Sequence, residues 1–210
     1  IDLINGYGIT ECSPLVSVNP DTFNDCRTAG LPLPCCTVKI DDPTPEGIGE
    51  ICVKGDIVML GYYKEPEKTA EVLSEDGWFR TGDLGHLNKD GSLTITGRKK
   101  NLIILSNGEN VSPEEIEYQL ARIPEIKEVV VYTEGNLIVA EIFPEENEMT
   151  DADLKAVLQE RINDYNAHQP SHKRVNKVKI RKSEFEKTTT HKIKRYKVLE
   201  KSKKEREKES

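Results

Sequence analysis

The 210-residue sequence has no run approaching the ~18 apolar residues of a membrane-spanning helix, and its start shows no signal-peptide pattern. Cysteine is scarce and odd in number: Cys12, Cys26, Cys35, Cys36 and Cys52. None stands in C-x-x-C spacing, which argues against a zinc ribbon or a disulfide framework. Reduced thiols in a cytoplasmic setting are the plain expectation. Aromatic residues make up only 6% of the chain and are not interleaved with the basic ones. No nucleic-acid motif is present, so a nucleic-acid partner is not expected.

What is present fits a globular protein of one large or two small domains, with 36% hydrophobic and 32% charged residues. The net charge of −7 conceals an asymmetry. From His168 onward lie 16 of the 30 Lys/Arg but only 6 of the 37 Asp/Glu. A basic end on an acidic body suits a solvated face or a mobile terminus. Residues 201–210 are nearly all charged and are expected to be disordered.

Two stretches flank one hairpin: Phe79-Arg80-Thr81-Gly82-Asp83-Leu84, with a carboxylate in a turn, and Gly97-Arg98-Lys99-Lys100. Together they point at one small ligand. Upstream, Gly6-Tyr7-Gly8-Ile9-Thr10-Glu11 follows an apolar strand end. It suits either a polar ligand site or a plain strand-to-helix turn with Thr10 as cap. Residues 37–40, 49–54, 57–60 and 92–96 read as short strands, with Gly91 supplying positive φ in a hairpin turn and one short helix over 66–73. Strands this short and close suggest a barrel-like unit.

After an apolar strand at 102–105, Ser112 with Pro113 and Glu115 predicts a helix opened by a capping box. A hairpin around Gly135, a helix opened by Thr150 and a weak strand near 175–181 follow. The expected class is α+β: a barrel-like unit over 1–97, a joint at 98–100, and over 101–200 a small domain with a three- or four-stranded sheet and packed helices. Residues 185–195, with three threonines in a row, read as an exposed loop presenting Lys192.

Four ordered strings resemble the motifs of adenylate-forming enzymes, the superfamily of acyl-CoA synthetases, luciferases and peptide-synthetase adenylation domains. Tyr7-Gly8-Ile9-Thr10-Glu11 matches Y-G-x-T-E, and Arg80-Thr81-Gly82-Asp83 matches R-T-G-D. Gly97-Arg98-Lys99-Lys100 opens the hinge motif, and Thr188 to Arg195 resembles T-x-x-G-K-I-x-R. Gly55 to Tyr63 followed by Thr69 is similar to the same family, and Asn107 to Glu117 looks most like long-chain fatty-acyl-CoA synthetases.

The resemblance implies ATP, Mg2+ and CoA as cofactor or co-substrates, and a carboxylic acid made into acyl-AMP and then a thioester. Tyr7 would stack on adenine beside Gly8, Thr10 would bond the α-phosphate, and Glu11 would hold Mg2+. Asp83 and Arg98 would grip the ribose, since an acceptor-only carboxylate suits its hydroxyls. Lys192 would place a cation at the reacting phosphate, and Lys100 would be the pivot that brings Asn107, Gly108 and Glu109 towards CoA. Small-molecule partners are implied, with peripheral membrane association through a lipid substrate compatible and oligomeric state open. Transfer to a carrier-protein thiol, or a non-catalytic docking module, are the alternatives.

Two departures stand out. His191 occupies the usual glycine position before the lysine, so the turn there must be shaped differently or His191 must take another geometry. No glycine-rich loop ending in P-K-G is present to cradle the β- and γ-phosphates. The expected outcome is that these 210 residues alone make no acyl-adenylate; measurable ATP–pyrophosphate exchange would overturn it.

Overall fold

The chain divides at Lys100 into two units, each with its own core, in a computed structural model that describes residues 4–22, 24–146 and 148–209. Residues 1–3, the first part of the stretch read as a strand end, lie outside the described residues.

In the first unit β1 (Gly6–Gly8), β2 (Leu15–Val18) and β3 (Leu31–Pro32) form an antiparallel sheet in that order. A second antiparallel sheet runs β4 (Cys36–Asp41), β5 (Gly49–Gly55), β6 (Phe79–Leu87), β7 (Leu93–Arg98), with α1 (Pro66–Val72) between β5 and β6. Val16, Ile51, Val53, Phe79 and Leu93 are buried in a common cluster with Tyr7 and Cys12. Both sheets stay open, so the barrel-like closure suggested by the sequence is not formed. Four strands in up-and-down order are too few to wrap round.

Two local expectations also change. Residues 57–60 form no strand, because Val58 N–H bonds Gly55 and Met59 N–H bonds Glu11 instead of a ladder partner. Asp83 lies inside β6 and not in a turn. There the strand bulges, since Cys52 pairs with Arg80 and Glu50 with Leu84, leaving residues 81–83 opposite Ile51 alone. Gly82 has φ +70 within that bulge, a conformation that favours glycine.

The second unit opens with a small ladder, β8 (Ile103–Ile104) and β9 (Asn110–Val111). Helix α2 (Pro113–Leu120) follows, then the hairpin of β10 (Ile126–Glu134) and β11 (Leu137–Pro144) around Gly135. Helix α3 (Asp151–Ala167) crosses over to β12 (Lys177–Ile180), parallel to β11, and α4 (Arg195–Glu209) closes the chain. Alternation along β10 sorts the cores. Val129 and Val131 pack with Ile116 and Leu120 of α2 and Leu158 and Ile162 of α3, whereas Val130 and Tyr132 pack with Val198 of α4 and with Phe185 of the loop before it.

Thr150 caps α3, its hydroxyl accepting from Asp153 N–H at 3.2 Å. The capping box expected at α2 is absent. Ser112 directs its hydroxyl at Glu114, and Glu115 binds Lys173 at 2.8 Å, a full positive charge outcompeting a backbone donor. The disorder expected over 201–210 is also not what the described residues show: α4 runs through Glu209. Val198 docks on the sheet, and one turn later Ser202, 3% exposed, donates to Glu134. A helix with little apolar surface of its own is thus held by the sheet.

Glu134 also takes Lys177 at 2.8 Å and Lys179 at 2.6 Å. Burial alone raises its pKa, but the hydrogen bonds from Lys177, Lys179 and Ser202 outweigh it and bring it from 4.5 down to about 2. A depressed carboxylate stabilises the fold above its unfolded pKa and loses that contribution as pH falls through its folded one. The thermal midpoint should therefore drop between pH 4.5 and 2, with α4 amides exchanging first. Glu134→Gln should lower the midpoint at neutral pH and flatten that acid drop; an unchanged acid profile would refute the assignment.

Candidate functional site

Asp83 is 5% exposed, and a carboxylate that deep needs charge-compensating partners. It has two. Arg98, directly across the β6–β7 ladder, brings Nε to 2.6 Å from Oδ1, and the Tyr7 hydroxyl donates to Oδ2 at 2.5 Å. Burial first, and then the bond to Asp83, push the Tyr7 phenol far above its ordinary pKa. The Arg98 side chain is 43% exposed, so the outer edge of its guanidinium remains open to a ligand.

Arg98 and Gly82 line an open cleft of about 320 Å3 together with Glu11, Glu50, Tyr62 and Arg80. Glu50, 7% exposed, braces its floor: it accepts from Gly82 N–H at 3.2 Å and pairs with Lys99 at 2.8 Å and Arg80 at 3.5 Å. Thr10 and Glu11 belong to a 3-10 turn between β1 and β2. Gly8 is needed there because a Cβ would lie 2.3 Å from the Pro14 carbonyl oxygen. Glu11 accepts the Tyr62 hydroxyl at 3.0 Å. Among the described residues no three His, Cys, Asp or Glu side chains converge as a metal site. A lone hard carboxylate is nonetheless what Mg2+ uses when phosphates supply its remaining oxygens, and Glu11 fits that pattern.

Of the residues singled out in the sequence, the first unit thus brings Tyr7, Asp83 and Arg98 into direct contact and sets Glu11 on the same cleft as Arg98. Tyr7 is 8% exposed, its ring in the core and its hydroxyl towards Asp83. Lys100 is exposed in a 3-10 turn, Lys99–Asn101, at the end of the unit.

In the second unit Lys192 sits exposed on a tight turn. Lys187 and Ile193 bridge its arms, Thr188 N–H bonds the Lys192 carbonyl at 2.8 Å, and Lys192 N–H bonds the Thr188 hydroxyl at 3.1 Å. His191 has φ +60, so it adopts the left-handed conformation itself. The turn therefore keeps the geometry that favours glycine and carries the cost of a side chain there, about 1 kcal/mol. Carboxylates hold both arms: the buried Glu128 takes Phe185 N–H and Lys187, and the half-buried Glu117 takes Arg195 at 2.5 Å. Asn107, Gly108 and Glu109 form a separate turn. Asn107 and Glu109 bond each other, Gly108 has φ +83, and His172 lies 3.3 Å from Glu109.

Glu50 and Tyr62 were not singled out in the sequence. Tyr62 lay within a noted string, Gly55 to Tyr63, but its contact with Glu11 spans 51 residues and leaves no periodic signal.

The AMP-binding enzyme family matches residues 1–63, and the AMP-binding enzyme C-terminal domain matches residues 100–208. A long-chain-fatty-acid–CoA ligase of Salmonella typhimurium is 48% identical over 55% of this chain and 21% of its own length. ATP-bound MatB from Rhodopseudomonas palustris superposes with a TM-score of 0.78 at 28% identity, over 95% of this chain and 40% of that one. O-succinylbenzoate coenzyme A synthetase (MenE) from Bacillus subtilis, in complex with ATP and magnesium ion, gives 0.78 at 27%, over 93% and 41%. The chain spans about a fifth of the length of the curated relatives it matches. With the C-terminal-domain match covering more than half of its residues, this protein belongs to the AMP-binding enzyme family.

Proposed function

We propose that this chain is part of an ATP-dependent ligase that converts a carboxylic acid, a long-chain fatty acid in particular, into acyl-AMP and then into the CoA thioester. The observation that carries the proposal is Asp83, a buried carboxylate aligned by Tyr7 and by Arg98, which itself lines the cleft, in a chain 48% identical over its matched part to a long-chain-fatty-acid–CoA ligase. The similarity to the fatty-acid ligase supports the substrate class, and the ATP-bound MatB and the MenE complex with ATP and magnesium ion support those two ligands.

Asp83 accepts the ribose hydroxyls and Arg98 reaches the sugar from the other side. Tyr7 and Gly8 lie on the nucleotide side, with the Tyr7 hydroxyl holding Asp83. Thr10 bonds the α-phosphate, and Glu11 holds Mg2+, which when bound offsets phosphate charge. Lys192 supplies a positive charge to the reacting phosphate as negative charge develops there. The second unit turns about Lys100 between the two half-reactions, so that the Asn107–Gly108–Glu109 turn serves the CoA step. A phosphate-cradling loop outside these 210 residues completes the catalyst.

In the full-length gene product, Lys192→Ala should slow adenylation by about 10²–10³-fold, the typical loss on removing one preorganised charge-stabilising group. Thiolysis of supplied acyl-AMP should change far less; an equal fall in both half-reactions would sink the proposed division of labour. Asp83→Ala should raise the KM for ATP roughly 10- to 100-fold, given about 1.5–3 kcal/mol for hydrogen bonds to a charged group. An unaltered KM for ATP would remove Asp83 from the nucleotide site.

A further inference from the structure

Residues 59–62 wrap over the turn that carries Glu11. Met59 N–H bonds the Glu11 carbonyl at 2.8 Å, and the Tyr62 hydroxyl donates to Glu11 Oε1 at 3.0 Å. Tyr62 is held in turn by α1. Its own N–H bonds the Thr69 hydroxyl oxygen at 2.9 Å, and that hydroxyl donates to the Glu65 carbonyl at 2.9 Å. Gly61, at φ +149, permits the approach, for a Cβ there would lie 2.9 Å from Thr69 Cγ2. Tyr62 and Glu11 line the same cleft as Arg98. Glu11 Oε2 has no protein partner among the described residues.

We infer that Tyr62 is the positioning residue for Glu11: its hydroxyl holds Oε1 and so presents Oε2 to a divalent cation in the cleft. This rests on the role proposed above for Glu11. An unbraced glutamate would give up side-chain freedom on binding, about 0.5–1.5 kcal/mol for a long side chain, and the Tyr62–Thr69 brace meets that cost in advance. Groups that orient a metal-binding side chain through a hydrogen bond typically change affinity by about 10–100-fold. The brace also assigns a purpose to Gly61, Tyr62 and Thr69, which otherwise form a conformationally costly stretch beside Leu60, a residue left 101% exposed.

The test is titration of Mn2+ in the presence of excess ATP, whose phosphates supply the remaining oxygens, into the isotope-labelled 210-residue chain, read as paramagnetic broadening of backbone amides around Glu11, with no turnover involved. The wild type should broaden there, and Glu11→Gln should abolish it. Tyr62→Phe should raise the half-saturating Mn2+ concentration by about 10-fold at an unchanged thermal midpoint, with Thr69→Ala moving the same way. Tyr63→Phe, altering a neighbouring ring that is 86% exposed, should match wild type. If Glu11→Gln abolishes the broadening and both Tyr62→Phe and Thr69→Ala leave the half-point unmoved, the inference about Tyr62 fails while Glu11 stands as the ligand. If the wild type does not broaden near Glu11, or Glu11→Gln makes no difference, the cation role fails and the inference with it. Should Tyr62→Phe not fold, Thr69→Ala decides by the same half-point.

Discussion

A carboxylate cannot stay charged at 5% exposure without partners, and Asp83 recruits its partners from positions 7 and 98. Three stretches of chain are therefore tied at one point, and losing either of these partners leaves the buried acid with less compensation. The same bond sets the limit of the first unit. Arg98 is committed to Asp83, and Lys99 to Glu50, so Lys100 is the first residue after β7 with no such tie to the sheet.

The second unit uses the device repeatedly. Glu115 takes Lys173, Glu134 takes Lys177 and Lys179, Glu141 takes Arg181, Glu128 takes Lys187, and Glu117 takes Arg195. Six of the 16 basic residues from His168 onward pair in this way with carboxylates from α2 and the β10–β11 hairpin, so part of the basic excess is used inside the fold. Such pairing also makes the Lys192 turn firm, because its arms end on the buried Glu128 and the half-buried Glu117 while the lysine itself stays in solvent.

Local signals were legible wherever a residue type imposes its own geometry. Gly91 and Gly135 marked hairpin turns, Pro66 and Pro113 opened helices, and Thr150 capped α3. Signals failed where a distant group outbid a near one. Ser112 and Glu115 spell a capping box, but Lys173 claims the glutamate. Residues 57–60 have a strand's composition, but their backbone is engaged by Gly55 and Glu11. The charged residues after Lys201 have no core of their own, yet Val198 and Ser202 dock the helix that contains them.

The sequence alone determined the α+β class, the order of the motifs and the identity of the charged residues at issue, because turn chemistry, hydrophobic alternation and side-chain type are local properties. The tertiary structure decided which charges meet. Asp83 lies in a bulged strand between Tyr7 and Arg98, Tyr62 is bonded to Glu11, and His191 takes the left-handed turn that glycine would take without cost. The physical reason is that a salt bridge or hydrogen bond between residues tens of positions apart depends on register and burial. Those come into being only when the sheets pack.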